Sequence, residues 1–500
     1  MAVKGQAGAP VLARRGALAA VCALALAVRV WLAVRFPNEI HPDETFQYLE
    51  QAYRLVTGRG MMPWEYIVGA RSWIIPGLLV PVLAGARLVS SAPEVALAAI
   101  AVATSLLSLA IVVAAYALGR RTSGEAAGLA AALMVALWPE IVIMSPHVLA
   151  DTISAVPLIA ALAVGYRPGS RTAMGLRPMV ATGLLLCTAA VLRPQLTPAL
   201  AVAAIWMART ELRRYGALVA GAVPVLVVFA LVDRLTWGAP FASIVRYVAA
   251  NRSGIAAQFG VQPFTFYVRE ELLTWRLGAP IVGLTALAGM RRLPLLGAVA
   301  LAILLTFSCI GHKEDRFLYP ALPLVFVLCG IGTVEIVRWS SRRLGERRRA
   351  VAIGLAGAWL ASGAMAVAAA PVQDVLHRNR GVLATIRAID ADPGVCGVAV
   401  VPAAQWHVAG TIRFRDDIRL YAPSEPVAAS AAYNTLLLIG EPSSLVARGF
   451  RVVSCDRRGS VACFLRRPTR CAPARGTPLR ANMNPRVEAL LRRTKLLPGN

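Results

Sequence analysis

Twelve apolar runs separated by short polar connections constrain this chain more than any other feature. They cover residues 16–36, 72–89, 95–118, 126–143, 148–165, 179–192, 196–207, 216–232, 279–290, 294–310, 317–337 and 351–370. Hydrocarbon offers no partner for a bare N–H or C=O, so runs of this kind cross a bilayer as helices. Several are shorter than the roughly 20 residues a perpendicular helix needs, so their ends extend into the flanks or meet a thinned bilayer. With 57% hydrophobic residues and a mean hydropathy of +0.62, the 500-residue chain is too apolar for a soluble protein. The expected fold class is a multi-span α-helical membrane protein.

The formal net charge of +26 sits mostly in short clusters between the runs. These are Lys4/Arg14/Arg15, Arg120/Arg121, Arg167/Arg171/Arg177, Arg209/Arg213/Arg214, Arg291/Arg292 and 338–349. Such spacing is the positive-inside signal of a membrane protein; it is not a nucleic-acid footprint. Placing every cluster in the cytoplasm gives consistent alternation from Arg120 onward. Parity fails only between residues 36 and 120, so one of two runs there does not span. Pro76 and Pro81 interrupt 72–89, which we expect to lie along the outer surface or re-enter, leaving about eleven spans. The first run follows basic residues without a small-residue cleavage site and reads as a retained signal anchor. The dominance of Ala and Arg over Lys, Ile and Asn is that of a high-GC bacterial gene, and the expected location is the inner cell membrane, multi-pass.

This topology leaves 37–71, 145–151, 235–276, 311–316 and everything after 371 outside. Inner connections are short and basic, whereas outer ones mix His, Asp, Glu, Trp and Gln, the composition of a functional face. We expect a transmembrane domain over 1–371, with 37–72 as its first outer loop, an extracytoplasmic α/β domain over 372–470 and a basic tail over 471–500. In that second domain 372–391 reads as an amphipathic helix, and 396–402, 434–440, 450–455 and 461–466 as strands. A helix over 485–495 is expected in the tail. Of eight Cys none forms a C-x-x-C pair, while Cys396, Cys455, Cys463 and Cys471 all fall in the outer domain, where one or two disulfides are expected.

The first outer stretch carries His41-Pro42-Asp43-Glu44-Thr45-Phe46-Gln47, two adjacent carboxylates just past a span. Position alone favours a solvated helix start. Further along lie Pro63-Trp64-Glu65-Tyr66, Gly69-Ala70-Arg71-Ser72-Trp73, Arg193-Pro194, Gly311-His312-Lys313-Glu314-Asp315-Arg316-Phe317-Leu318-Tyr319-Pro320 and His377-Arg378-Asn379-Arg380-Gly381. In this order the chain resembles the dolichyl-phosphate-mannose-dependent mannosyltransferases of glycosyltransferase family 22. Their motifs are His/Gln/Asn-Pro-Asp-Glu-x-x-Gln, Thr-Trp-Glu-Trp…Gly-x-Arg-Ser-Tyr, Arg-Pro-Thr, His-Lys-Glu-x-Arg-Phe-Leu-x-Pro and His-x-Arg-Gly. The resemblance implies the C-type glycosyltransferase fold and a polyprenyl-phosphate sugar donor, with a glycan or glycolipid acceptor. A lipid-phosphate donor holds its anomeric carbon at the interface, where these loops lie. Inverting transfer needs one base for the acceptor proton, and cations can stabilise the departing phosphate.

On that resemblance Asp43 is the expected general base. Glu44 is the alternative base or the residue that orients a sugar hydroxyl. His41 and Gln47 hydrogen-bond substrate or brace the loop. Trp64 and Arg71 hold a sugar ring and a phosphate, Trp64 having an interfacial belt as its alternative. Arg193, His312, Lys313 and Arg316 are expected at the donor phosphate, with snorkelling the alternative for Arg193 and pairing to Lys313 or Arg316 an alternative for Glu314. His147 and Asp151 flank an outer turn and touch the acceptor, or Asp151 caps a helix. A single donor phosphate needs no clamp, so no metal and no cofactor are expected. The competing readings are another polyprenyl-phosphate sugar, such as a pentose, and a transporter of lipid-linked intermediates. The latter lacks the internal repeat common in transporters.

The topology is directly testable. An impermeant thiol reagent applied from outside should label cysteines introduced within 37–71 and after 371, and should spare Arg120→Cys. Labelling of Arg120→Cys from outside would overturn the orientation.

Overall fold

The computed structural model describes residues 8–166, 175–344, 348–403, 407, 409–423, 430–442, 449–458, 460–472, 477–479, 485–493 and 496–497. Lys4, Arg167 and Arg171 of the basic clusters lie outside the described residues, as do 345–347 and parts of the tail. In chain order the helices are α1 (Gly8–Arg35), α2 (Glu50–Thr57), α3 (Trp64–Ile67), α4 (Ile74–Val89), α5 (Pro93–Leu137), α6 (Pro139–Met144), α7 (Ala150–Gly165), α8 (Leu176–Leu192), α9 (Thr197–Ala208) and α10 (Leu212–Trp237). They continue with α11 (Ala242–Arg252), α12 (Phe266–Trp275), α13 (Ala279–Met290), α14 (Pro294–Cys309), α15 (Leu322–Leu344), α16 (Arg348–Val367), α17 (Ala370–His377), α18 (Arg380–Ala391) and α19 (Pro485–Arg493). Among the described residues, six helical stretches are long and apolar enough to cross a membrane, and five further apolar helices have 10–17 residues. The run at 72–89 folds as one of the latter, α4.

The chain divides into two compact units. The first comprises Met1–Trp31, Thr104–Val228 and Gly260–Gln373. Its helices approach closely through small residues, as helices do where no hydrophobic drive separates helix from lipid. In α5 the helical path breaks at Ser123 and Gly124, where Gly124 takes φ +78°. The two arms then fold back. A Cβ on Gly119 would sit 2.5 Å from the Ala127 carbonyl oxygen, and one on Gly128 2.9 Å from that of Tyr116. This hairpin follows Arg120 and Arg121 at once, as the alternation of basic clusters requires. Helices α13 and α15 meet even more tightly: a Cβ on Gly332 would fall 1.8 Å from the Thr285 carbonyl oxygen, and one on Gly289 2.1 Å from that of Leu328. Arg29 of α1 is fully buried and donates to the Ser108 hydroxyl (2.8 Å) and the Val135 carbonyl (3.3 Å), tying α1 to both arms of α5.

The second unit comprises Leu32–Ala103, Phe229–Phe259 and Asp374–Asn500. Its sheet has strands β1 (Val398–Val401), β2 (Leu420–Tyr421), β3 (Thr435–Ile439), β4 (Arg451–Asp456) and β5 (Ala462–Arg466), in the order β2-β1-β3-β5-β4. The β2, β1 and β3 strands are parallel, while β5 runs antiparallel to β3 and β4. The expected strands are present, and two-residue β2 is added. The expected helix at 372–391 is two helices, broken where Asn379 takes φ +57°. Alternation along the strands gives the sheet two apolar faces. Val398, Val400, Leu437 and Phe464 pack with Val382, Leu383, Ile386 and Ile389 of α18, and Phe46 and Met61 of the first outer loop join that same core. Disulfides join Cys396 to Cys471 and Cys455 to Cys463, the latter pair directly opposite on β4 and β5.

The α13–α15 contact generates a stability prediction. Gly332→Val places methyl groups where the Thr285 carbonyl already lies, and overpacking of this kind costs about 1–3 kcal/mol. Thermal unfolding in detergent should show a clear drop for Gly332→Val. Gly354→Val in α16, where a Cβ meets nothing within 4 Å, should melt like the parent. Equal melting of both variants would contradict the packing.

Candidate functional site

The His41–Gln47 stretch begins where α1 has ended. The segment Glu44–Leu49 forms a single π-helical turn that runs into α2. Such turns are rare and turn up often at functional sites. The Asp43 N–H donates to His41 Nδ1 at 3.1 Å, which fixes the backbone that carries the carboxylate. His41 Nδ1 also lies 3.5 Å from Asp43 Oδ1. Because Nδ1 is already the acceptor of the backbone bond, this second contact is proximity and not an ion pair. The Asp43 side chain keeps 21% of its surface accessible, whereas Glu44 is buried.

Around Asp43 the loop gathers Gln47, Glu65 and Arg71. Gln47 Nε2 donates to Glu65 Oε1 at 2.9 Å, and the Tyr66 hydroxyl donates to the Gln47 carbonyl at 2.9 Å. Burial first, then the Asp43 charge, pushes the Glu65 carboxyl up to about 7, against the opposing pull of Arg71 and the Gln47 amide. Arg71 lies over the Tyr247 ring at 5.2 Å, and its carbonyl accepts the Trp237 indole N–H at 2.9 Å. Burial opposes the Arg71 charge, but Tyr48, Tyr247, Asp43 and Glu65 together hold it firmly protonated. Trp64 is only 5% exposed and packs in an apolar cluster with Val68, Ala250, Ile255, Val487 and Leu491, so its rings are occupied by protein.

Buried acids brace the loop from behind. Glu39 accepts from the Thr45 hydroxyl and lies 3.6 Å from Arg413, which also donates to Thr45 Oγ1 at 3.2 Å. Glu50 accepts the Met61 N–H and the Ile412 N–H, each at 2.7 Å, and burial pushes its carboxyl up to about 7 against those two bonds. The segment 410–413 fits this surface closely: a Cβ on Gly410 would lie 2.4 Å from Thr45 Cγ2. A segment about 370 positions further along the chain therefore sets the shape of the loop that holds Asp43.

The remaining sequence candidates meet in the other unit. Asp151, 0% exposed, lies in the first turn of α7. Its Oδ1 is 2.9 Å from Arg193 Nε, close in distance though not aligned as a hydrogen bond, and its Oδ2 is 3.9 Å from Arg316. Asp151 is thus an ion-pair centre. The capping role falls to the Thr152 hydroxyl, which accepts the Leu149 N–H at 3.1 Å and donates to the His147 carbonyl at 2.8 Å. Arg316 Nε donates to Glu314 at 2.5 Å, and the other Glu314 oxygen lies 2.7 Å from His312 Nε2. His312 Nδ1 meets the Gly260 carbonyl at 3.0 Å. With an acceptor on each ring nitrogen, Glu314 above all, the imidazolium is held above its usual range. Lys313 donates to the carbonyls of Gln262 (3.0 Å) and Ile310. The Phe317 ring lies under two guanidiniums, Arg193 at 4.5 Å and Arg316 at 5.2 Å. Four cationic side chains here face two carboxylates, leaving a net positive site that suits an anion.

The pairing of Glu314 with Arg316 is the alternative the sequence offered, whereas Glu39, Glu50, Glu65, Thr45 and Arg413 were not among the sequence candidates. Glu65 sits inside a quoted motif and was visible there. Arg413 lies some 370 positions from Thr45 in the chain, and no local pattern points to it.

Comparison with known proteins agrees with this picture. The chain is 27% identical over 312 residues to GPI mannosyltransferase 3 of Yarrowia lipolytica, covering 60% of this chain and 59% of that protein. It is 33% identical over 96 residues to GPI alpha-1,2-mannosyltransferase 3 of Xenopus laevis, 17% of each. The chain thus spans less than two thirds of the length of these relatives. Its fold is that of ArnT from Cupriavidus metallidurans bound to undecaprenyl phosphate, with a TM-score of 0.57, 14% identity and coverage of 92% of this chain and 98% of that one. The apo form of ArnT superposes with a TM-score of 0.56, 15% identity and coverage of 93% and 100%. This is the C-type glycosyltransferase fold of a membrane-embedded, multi-pass protein. The model of the Alg9-like mannosyltransferase family matches residues 20–391, well over half of the sequence, and the chain belongs to that family.

Proposed function

We propose that this protein is an inverting mannosyltransferase of the inner cell membrane, working on the extracytoplasmic face. The donor is polyprenyl-phosphate mannose, and the acceptor is a glycan or glycolipid. The observation that carries this reading is Asp43: an accessible carboxylate on a backbone fixed by His41, in a chain of a mannosyltransferase family. The transmembrane domain spans 1–371 with α4 not crossing, 372–470 form the outer domain, and 471–500 are a tail.

In the reaction Asp43 takes the acceptor hydroxyl proton as the hydroxyl oxygen attacks the anomeric carbon. The bond from that carbon to the phosphate oxygen breaks, and its electron pair leaves with polyprenyl phosphate. His312, Lys313, Arg193 and Arg316 stabilise the phosphate as its charge grows, and Arg71 and Gln47 hold the sugar end. Lys313 uses two of its three N–H donors on carbonyls, leaving one for a ligand. Glu44, being buried, orients and does not abstract. His147 borders the acceptor. A base and cations suffice, so transfer is metal-independent.

Initial rates over a range of donor concentration, together with a pH–rate profile at saturating donor, separate these roles. Asp43→Asn keeps size and polarity but cannot accept the proton. It should retain donor affinity and lose about 10²–10⁴-fold in turnover. Arg193→Ala and Lys313→Ala should raise the apparent Michaelis constant for donor as well as slow turnover. Glu44→Gln should be mild. Below about 7 Glu65 is neutral, and above it a second negative charge appears beside Asp43 and raises its proton affinity. Parent turnover should therefore rise through pH 7, and Glu65→Gln should flatten that rise. An Asp43→Asn enzyme with parental turnover, or a dead Glu44→Gln beside it, would reject the assignment.

A further inference from the structure

Helix α15 begins at the His312–Phe317 cluster and ends, about 25 Å further along its axis by Trp339, at a second feature. There the C-terminal ends of α13 and α15 border an open cleft of about 480 Å3. Four arginines line it, Arg291, Arg292, Arg338 and Arg342, against one acid, Glu335. Glu335 Oε2 accepts from Arg292 at 2.7 and 2.9 Å, and Oε1 accepts from Arg338 at 3.0 Å. The carboxylate is thereby consumed in fixing two guanidiniums. Among the described residues, Arg291 and Arg342 have no carboxylate partner. The lining carries an excess of three positive charges.

The rim is apolar. Ala288, Ile336 and Trp339 line the pocket beside the arginines, and Trp339 is 60% exposed. A positive-inside signal explains why arginines stand at this end of the helices. It does not explain a concave site, a carboxylate that organises two of them, or a bordering apolar surface with an indole at its edge. A polar anionic group joined to hydrocarbon chains matches both parts, and basic pockets between transmembrane helices are of the kind that take anionic lipid headgroups.

We propose that this pocket binds the phosphate headgroup of an anionic phospholipid from the leaflet on the basic side, with Arg291 and Arg342 contacting the phosphate and Trp339 lying along the acyl chains. The site is separate from the glycosyl-transfer machinery and stands whether or not that function does.

The test uses the full-length protein in detergent. Native mass spectrometry would follow retention of phosphatidylglycerol, phosphatidylcholine and inorganic phosphate by the parent, the double variant Arg291→Gln/Arg342→Gln, and Arg213→Gln as a charge control at another basic cluster. The expected result is retention of phosphatidylglycerol over phosphatidylcholine by the parent and by Arg213→Gln. The double variant should bind it more weakly, on the order of tenfold or more. As a second measurement on folded parent protein, phosphatidylglycerol brominated on its acyl chains should quench fluorescence that Trp339→Phe removes, and brominated phosphatidylcholine should quench it less. Equal retention of both lipids, undiminished retention by the double variant, or inorganic phosphate displacing the lipid at equal concentration would overturn the proposal. The last outcome would mark a site for a soluble anion.

Discussion

The backbone that carries Asp43 is held in place by acids that never reach the surface. Glu39 and Glu50 turn their oxygens toward Thr45, Arg413 and the N–H groups of Met61 and Ile412. A buried acid left without such partners costs far more than one that is satisfied. The loop therefore has one stable seating on the segment 410–413, and Gly410 permits the approach because it has no Cβ. Phe46 and Met61 add apolar burial in the same core as α18 and the sheet. Residues 410–413 are thus a structural part of the loop that carries Asp43.

The cationic cluster in the first unit follows a related logic. Arg193 and Arg316 would be costly to bury alone, and Asp151 and Glu314 offset that cost. Phe317 gives both guanidiniums an aromatic face. The pairs leave a positive remainder, so the side chains are positioned in advance without being neutralised, which favours a ligand whose charge grows during reaction.

How much of this was legible depended on how local the cause was. Apolar runs declared the helices because lipid forces every backbone group to be satisfied within its own segment. Strand alternation located four of the five strands, and only Leu420–Tyr421, two residues long, had no pattern to show. The break at Asn379 was hidden, because the amphipathic period continues through it while the backbone does not. The pairing of Cys455 with Cys463 follows from the β4–β5 register, and that of Cys396 with Cys471 joins the segment before β1 to the one after β5; sequence leaves both open. In the candidate site, motif positions such as Asp43, Gln47 and Arg316 were readable. Their partners were not, since Arg413 reaches Thr45, and Asp151 reaches Arg193 and Arg316, only through folding. Asp151 in particular stands at a helix start, where a cap is the natural reading, and the structure gives that role to Thr152.

Under the proposed function the substrate is a lipid-linked sugar, positioned by cations and attacked with the help of a loop-borne carboxylate. This is tested most directly with purified protein in nanodiscs, a membrane glycolipid extract as acceptor, and radiolabelled mannose supplied either on polyprenyl phosphate or on a nucleotide, with chelator present. Label should transfer from the polyprenyl-phosphate donor alone. Transfer from the nucleotide donor, or transfer that appears only when a divalent cation replaces the chelator, would contradict it.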